Sequence, residues 1–236
     1  MPYSQITRIL AIRHGETAWN VDTRIQGQLD IPLNDTGRWQ ARRLAQALAA
    51  EDLHAVYASD LSRAHATGEI VARELGLPIE THMGLRERHF GGFQGHTHAE
   101  VETRWPMEAR RWRQRDPDFS PPEGERLADF YERCVATARE LALRHPGQTI
   151  ALVAHGGVLD CLYRAATHQP LDAPRAWSIT NASINRLLHG EQGFSLVGWG
   201  DTGHLERADD PAAGAGARDE TTDGALAAHR LRDSAA

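Results

Sequence analysis

Short apolar runs alternate along the chain with longer stretches in which apolar residues recur at helical spacing. Short apolar runs are typical of buried strands, and they predict strands at Ile6–Ile12, Ala55–Ala58 and Gln148–Ala154. A further short extended segment is predicted at Ile79–Thr81, after Gly76 and Pro78. The helical spacing predicts helices over 38–50, 62–75, 125–145 and 157–167, and two late strands follow at Ile184–His189 and Phe194–Trp199. Strands that alternate with helices favour an α/β domain with a mostly parallel sheet.

Cap and turn residues mark the ends of the predicted helices. Asn34–Gly37 offers such residues ahead of the helix over 38–50, and Ser59 or Asp60 is expected to cap the helix over 62–75. That helix should end at Gly76, because glycine accepts the left-handed backbone that often follows a helix.

Residues 85–125 break the alternation and are rich in Gly, His, Arg, Trp and Pro. We interpret this segment, called the excursion below, as a cover over one end of the sheet, where substrate specificity usually lies. Within it, Trp105 and Trp112 share one helical face while Arg104, Arg111 and Arg115 share another. This pattern predicts an amphipathic helix whose tryptophans pack inward.

A change of composition separates residues 1–206, which we expect to form one catalytic domain, from residues 207–236. Ten of these last thirty residues are alanine, and Leu226 and Leu231 are their only large apolar residues. So little apolar surface predicts a poorly ordered tail. A short helix over Ala225–Arg232 is the alternative.

All 26 cationic side chains are arginine, because the chain contains no lysine. This excludes Schiff-base enzymes, pyridoxal-phosphate enzymes and P-loop NTPases, which need a lysine. The formal net charge of −6 argues against a basic coat that binds nucleic acid. Any anion site must therefore be built from arginine.

The two cysteines, Cys134 and Cys161, show no C-x-x-C spacing, so a disulfide framework is not expected. The N-terminus lacks a charged segment followed by a long apolar run, as a signal peptide would have. No stretch is long and apolar enough for a membrane span. We therefore expect a cytoplasmic protein that does not contact a membrane.

Two of the predicted strands end in a His-Gly pair, at His14 and at His155. The ligand site of an open α/β sheet lies beyond the carboxyl ends of its parallel strands, and a following glycine lets a backbone approach a ligand. Arg13 adds a planar donor fork, Arg63 follows the strand Ala55–Ala58, and Glu87 stands at the mouth of the excursion. These residue types suggest phosphoryl transfer with a histidine nucleophile and a carboxylic-acid proton donor.

Simpler interpretations of the same residues stay open at this point. A histidine at a strand end is usually a hydrogen-bonded structural residue, although two in the same local context favour a site. Glu87 lies between Arg86 and Arg88, so a surface ion pair is an alternative to an acid role.

The sequence from Arg13 to Asn20, RHGETAWN, resembles the signature of the histidine phosphatase superfamily, in its phosphoglycerate-mutase-like branch. Further matches follow in order at Arg24–Leu33, Ser59–Ala64, Leu85–Gly91 and Ala154–Gly157, and the resemblance covers residues 7–204. It implies a three-layer α/β/α fold around the mostly parallel sheet.

The resemblance also implies a role for each matching residue. His14 would be the nucleophile that becomes phosphohistidine, and Glu87 the acid that protonates the leaving oxygen and then activates water. Arg13, Arg63 and His155 would complete the catalytic set and hold the phosphoryl oxygens. The substrate-binding pocket would also include Gly15, Asn20, Gln26, Gly27 and Gly156. No metal or cofactor is implied for hydrolysis.

Phosphatase and mutase activities both pass through phosphohistidine, so the sequence must be compared with the cofactor-dependent mutases of the family. Those mutases carry Tyr, Lys, Arg and Asn where this chain has Phe90, His98, Gln114 and Gly157. Their insertion before the long helix is also absent, because only Asp116–Arg126 joins the two helical segments here. We therefore expect a phosphomonoesterase, with a mutase that uses 2,3-bisphosphoglycerate as the alternative.

Other functions fit the sequence less well. Arginine and tryptophan together over 104–115 could bind RNA, and His89, His96 and His98 could suggest zinc but lack a second ligand cluster. A non-catalytic phosphate-binding module conflicts with the complete set of catalytic residue types. We expect a small phosphorylated metabolite as the partner and no nucleic acid, and a homodimer is left open.

Overall fold

The computed structural model describes residues 5–206. Its strands are β1 Thr7–Arg13, β2 Ala55–Ala58, β3 Ile79–Thr81, β4 Thr149–Ala154, β5 Ile184–Gly190 and β6 Gly193–Asp201. Its α-helices are α1 Ala18–Val21, α2 Asp35–Leu48, α3 Ser62–Leu75, α4 His98–Arg104, α5 Pro106–Arg113, α6 Leu127–Leu143 and α7 Gly156–Thr167. The predicted tail, residues 207–236, lies outside the described residues.

The strands form one six-stranded sheet in the order β3-β2-β4-β1-β5-β6. The four strands from β3 to β1 pair in parallel, whereas β5 and β6 are added antiparallel. The predicted α/β architecture with a mostly parallel sheet is thus confirmed. Because Arg13 pairs with Ala154, β1 and β4 end side by side.

Two apolar cores cover the two faces of the sheet. In β1, Ile9 and Ala11 face the core under α6 and α7, while Leu10 and Ile12 face the core under α2 and α3. This alternation follows from the two-residue period of a strand. The result is the three-layer arrangement that the resemblance implied.

The excursion has its own small core, which contains Ile25, Phe93, Val101, Ala109, Trp112 and Phe119. The prediction of an amphipathic helix over 104–115 is wrong in part, because α4 ends at Arg104 and Pro106 begins α5. Proline suits the first turn of a helix but cannot continue one. Trp112 packs inward as expected, whereas Arg115 turns inward instead of facing solvent.

The structure also differs from the predicted start of α2 and from the predicted cap of α3, whereas α3 itself has the predicted bounds. Helix α2 begins at Asp35, earlier than predicted, because the Asn34 side chain accepts a hydrogen bond from the Gly37 N–H at 2.7 Å. Neither Ser59 nor Asp60 caps α3. Instead, Asp30 from a distant loop accepts a hydrogen bond from the Ser62 N–H at 2.7 Å.

Candidate active site

The carboxyl ends of β1 and β4 bring the two His-Gly pairs together. The backbone N–H of His14 donates to the Ala154 carbonyl at 2.9 Å. The two strands therefore end side by side, and His14 and His155 follow them at the same edge of the sheet. The rings of His14 and His155 lie 5.2 Å apart, centre to centre. Both side chains are buried.

The hydrogen bonding of His14 determines which of its ring nitrogens can act as a nucleophile. Nδ1 lies 2.7 Å from the Gly15 carbonyl oxygen, and a carbonyl can only accept, so Nδ1 carries the proton. In the neutral ring, Nε2 therefore holds the free electron pair. Burial, together with the positive charges of Arg63 and Arg13, holds the pKa of His14 well below its usual value, which keeps the ring neutral.

Arg13 and Arg63 place two buried guanidinium groups beside His14, and backbone carbonyls hold both in position. Arg13 donates to the Ile179 carbonyl at 2.6 Å. Arg63 donates to the carbonyls of Leu29 at 2.9 Å and Gly27 at 2.7 Å. Backbone carbonyls fix the orientation of both guanidinium groups, and a planar guanidinium presents several N–H donors that suit the oxygens of a phosphate.

Two further buried side chains at the site have unfilled hydrogen-bonding capacity within residues 5–206. Neither ring nitrogen of His155 has a hydrogen-bond partner there, and the Asn20 side-chain NH2 group has none. Buried polar atoms in native proteins are usually hydrogen-bonded. Unfilled donors beside two guanidinium groups are the features of an anion-binding site.

Glu87 reaches the same site from the excursion and bridges it to α7. One carboxylate oxygen accepts from the backbone N–H of Arg88 at 2.8 Å, and the other accepts from the backbone N–H of Gly157 at 2.9 Å. Burial raises the pKa of Glu87, although these two N–H groups oppose the shift by stabilising the carboxylate. A raised pKa favours the protonated carboxyl that can donate a proton.

The side chains of the neighbouring arginines, Arg86 and Arg88, do not form ion pairs with Glu87 and bond other groups instead. Arg86 forms a two-pronged ion pair with Asp60, with its Nε at 2.7 Å and its Nη2 at 2.5 Å. Arg88 donates to the carbonyls of Glu125 and Phe119. The alternative interpretation of Glu87 as a member of a surface ion pair is therefore wrong.

Seven of the ten predicted site residues line one pocket: Arg13, His14, Gln26, Gly27, Arg63, Glu87 and Gly156. The other three are not in its lining. His155 lies beside the His14 ring, Gly15 follows His14, and Asn20 accepts a hydrogen bond from Asn181, which also donates to the His14 carbonyl. A Cβ on Gly15 would overlap the backbone of Gly37, so close packing against α2 also requires glycine there.

Sequence reasoning missed three residues that hydrogen-bond the backbone around the nucleophile. Asn181 donates its side-chain amide to the His14 carbonyl at 3.0 Å, and the Ala182 N–H donates to the Arg13 carbonyl at 3.0 Å. Thr67 accepts from the Gly15 N–H through its hydroxyl at 3.0 Å. None of the three stands in a motif with the histidines, so no local signal points to them.

The lining of the pocket also contains apolar and further charged side chains. Ile25, Phe90, Trp112, Leu127 and Phe130 belong to it, together with Arg88, Arg115, Asp160 and Cys161. Burial lowers the pKa of Arg88 to about 10. The pocket therefore combines the cationic residues around His14 with apolar surface that carries a few charged groups.

The structure also bears on the predictions for the two cysteines, for the histidines of the excursion and for a membrane span. Cys134 and Cys161 are both free and buried. His96 packs edge-on against Trp105 and His98 stacks on Trp112, and residues 5–206 contain no group of three or more side chains placed to hold a metal ion. None of the helices described is long and apolar enough to cross a membrane.

Comparison with known proteins gives a consistent family. The profile of the histidine phosphatase superfamily (branch 1) matches residues 9–202. Phosphoglycerate mutase-like protein 4 of Arabidopsis thaliana is 39% identical, with 84% of this chain and 86% of the relative covered. The metal-independent phosphoserine phosphatase of the same plant is 34% identical, with 86% and 84% covered.

A similar solved structure is the mycobacterial glucosyl-3-phosphoglycerate phosphatase, studied as a complex with VO3. It is 33% identical, covers 83% of this chain and 99% of its own, and superimposes with a TM-score of 0.73. The relatives therefore include both phosphatases and a protein with a mutase-like name.

Proposed function

The chain belongs to the histidine phosphatase superfamily, and from this premise we propose that it hydrolyses a small phosphorylated metabolite through phosphohistidine, without a metal. One observation carries the proposal: a neutral, oriented His14 and a carboxyl group of raised pKa, Glu87, line the same cationic pocket. Relatives named as phosphatases, one of them metal-independent, support it.

In the first step, Nε2 of His14 attacks the phosphorus atom of the ester. A bond forms between Nε2 and phosphorus while the bond to the ester oxygen breaks. Glu87 starts protonated and gives its proton to that oxygen, so the product leaves as a neutral alcohol. The enzyme then holds phosphohistidine and the Glu87 carboxylate.

In the second step, the Glu87 carboxylate accepts a proton from water as the water oxygen attacks phosphorus. The bond from phosphorus to Nε2 breaks, inorganic phosphate is released and Glu87 is protonated again. Glu87 thus serves as acid and then as base, which restores the starting state after each turnover.

The remaining predicted residues would hold the phosphoryl oxygens as charge develops on them. Arg13 and Arg63 supply fixed positive charge, and His155 and Asn20 supply donors that have no partner among residues 5–206. Gln26, Gly27 and the Gly156 backbone complete the pocket wall. Groups already in position at a developing charge stabilise the transition state without reorganisation.

The positions at which this chain differs from the cofactor-dependent mutases favour hydrolysis over the mutase alternative. Arg113 pairs with Glu102 at the surface, and neither it nor Gln114 lines the pocket. A Cβ on Gly157 would overlap the Glu87 carboxylate and approach Phe130, so the asparagine of the mutases would displace Glu87 here. Without these substrate-holding groups, water is favoured as the acceptor of the phosphoryl group.

A panel of phosphorylated metabolites, assayed with and without 2,3-bisphosphoglycerate, tests this proposal. We expect release of inorganic phosphate that does not depend on the bisphosphate. Interconversion of 3-phosphoglycerate and 2-phosphoglycerate only in its presence, with little phosphate released, would establish the mutase instead.

The two shifted pKa values predict how activity on an alkyl phosphate depends on pH. His14 must be neutral and its pKa is lowered, so kcat/KM should still be high below pH 6.5 and fall only in more acidic solution. Glu87 must be protonated and its pKa is raised, so kcat/KM should fall as pH rises through that pKa. The Glu87→Gln variant should lose this alkaline fall; an unchanged fall would contradict the assignment.

The proposal also includes the domain bounds, the cellular compartment and the partner that we expect from the sequence. We assign residues 1–206 to one catalytic domain with the excursion at 85–125 as its specificity element. The cytoplasm is the proposed compartment, which the free cysteines support. The partner is a small phosphorylated metabolite.

A further inference from the structure

We propose that Asp160 determines substrate specificity by accepting a hydrogen bond from the alcohol part of the substrate. The inference rests on the proposed phosphatase function and names a substrate class: phosphate esters whose alcohol part carries a second hydrogen-bond donor, a hydroxyl or an ammonium group. Asp160 lines the same pocket as His14 and Glu87.

The position of Asp160 on α7 follows from helical geometry. Gly156 and Gly157 begin α7 and line the pocket, and the Gly157 N–H bonds Glu87. Residues three and four apart share a helix face, and four residues advance about 6 Å along the axis. Asp160 therefore stands on the same face of α7 one turn further on, still in the lining of the pocket that contains His14.

The hydrogen bonds of Asp160 use only one of its two carboxylate oxygens. Oδ2 accepts from Arg115 Nη2 at 2.6 Å and from Arg164 Nε at 3.0 Å. Oδ1 has no hydrogen-bond partner among residues 5–206, although the residue is only 4% exposed. A buried carboxylate oxygen normally accepts hydrogen bonds, so Oδ1 has the capacity to bind a donor on a ligand.

Arg115 and Arg164 hold this carboxylate in a fixed orientation. Arg164 is fully buried on α7 and also donates to the Pro170 carbonyl at 2.5 Å. Arg115 has a φ of +53°, which is unfavourable for a residue with a side chain. This backbone turns Arg115 inward, where it also bonds the Leu171 carbonyl at 2.9 Å. Strained backbone of this kind persists where surrounding contacts hold it, often at functional sites.

The other groups in the lining make Asp160 the natural acceptor. Among residues 5–206, Asp160 and Glu87 are the two carboxylates that line this pocket, and Glu87 is committed to proton transfer. Phe90, Trp112 and Phe130 offer apolar contact, while Arg88 and Arg115 are donors. A hydroxyl or ammonium group placed there would bond Asp160, whereas an alkyl group of the same size would leave Oδ1 unsatisfied.

The test compares three esters of matched size: propyl phosphate, 2-hydroxyethyl phosphate and 2-aminoethyl phosphate. For each enzyme, kcat/KM of each donor-bearing ester is divided by that of propyl phosphate, so the fraction of active protein cancels. We expect at least one wild-type quotient to exceed the Asp160→Ala quotient by about tenfold or more. The two donor arms distinguish a hydroxyl ligand from an ammonium ligand.

Asp160→Asn, which is nearly the same size, and the exposed Asp172→Asn complete the set. Asp160→Asn should lower the ammonium quotient more than the hydroxyl quotient because it removes the charge, and Asp172→Asn should leave both at wild-type values.

If Asp160 only ties the excursion to α7, all three esters lose activity in parallel and the quotients do not change, which overturns the inference. A wild-type enzyme that hydrolyses none of the esters, nor p-nitrophenyl phosphate, would overturn the proposed function itself.

Discussion

Replacement of His14 by alanine is expected to abolish the release of phosphate from p-nitrophenyl phosphate, with a loss on the order of 10⁴–10⁶-fold in kcat. The variant lacks the ring whose Nδ1 contact with Gly15 leaves Nε2 unprotonated, in the pocket that Arg13, Arg63 and Glu87 also line. p-Nitrophenolate is a good leaving group and needs no proton. Loss of turnover on this substrate therefore reports the nucleophile itself and not the acid.

His54 provides the matched control, because it is exposed and lies just before β2, at the opposite end of the sheet from His14. His54→Ala should keep wild-type turnover. Turnover by His14→Ala that matches the wild type would remove the histidine nucleophile from the account.

Replacement of Glu87 by glutamine is expected to have an effect that depends on the leaving group. For an alkyl phosphate, phosphoryl transfer to His14 should slow by roughly 10²–10⁴-fold, because the alkoxide must then leave without a proton. For p-nitrophenyl phosphate this step should change little. Glutamine retains the size of the side chain, and its amide oxygen can still accept from one of the two N–H groups that hold Glu87.

Rapid-quench measurement of phosphoenzyme formation separates this step from the later attack of water. Glu69→Gln, an exposed change on α3, is the control and should behave as wild type with every ester. Equal losses for all leaving groups in the first step would show that Glu87 positions the site and does not donate a proton.

The parts of the fold that depend on local pattern could be predicted from the sequence. Strands β2 and β3 have the predicted bounds. The apolar run Ala55–Ala58 indicated the first, and the turn residues Gly76 and Pro78 ahead of Ile79 indicated the second. The pairing of His14 with His155 followed from one rule, that parallel strands present their carboxyl ends at the same edge. Pro106 was also a local signal, and it should have divided the predicted helix of the excursion.

The parts that depend on contacts between distant segments could not be predicted. Asp30 caps α3 from more than thirty residues away, and Arg115 crosses from the excursion to Asp160 on α7. Asn181 braces His14 from the opposite end of the chain. Each contact depends on how loops pack, and no periodicity of the chain specifies that.

Direct detection of the phosphoenzyme tests the central claim of a phosphohistidine at His14. The enzyme is mixed with substrate, quenched in alkali, in which phosphohistidine survives, and mapped by peptide mass spectrometry. We expect one phosphate on the peptide that contains His14, attached at Nε2, and none in the His14→Ala variant. A turning-over enzyme that carries no phosphate under these conditions, or carries it on another residue, would contradict the account.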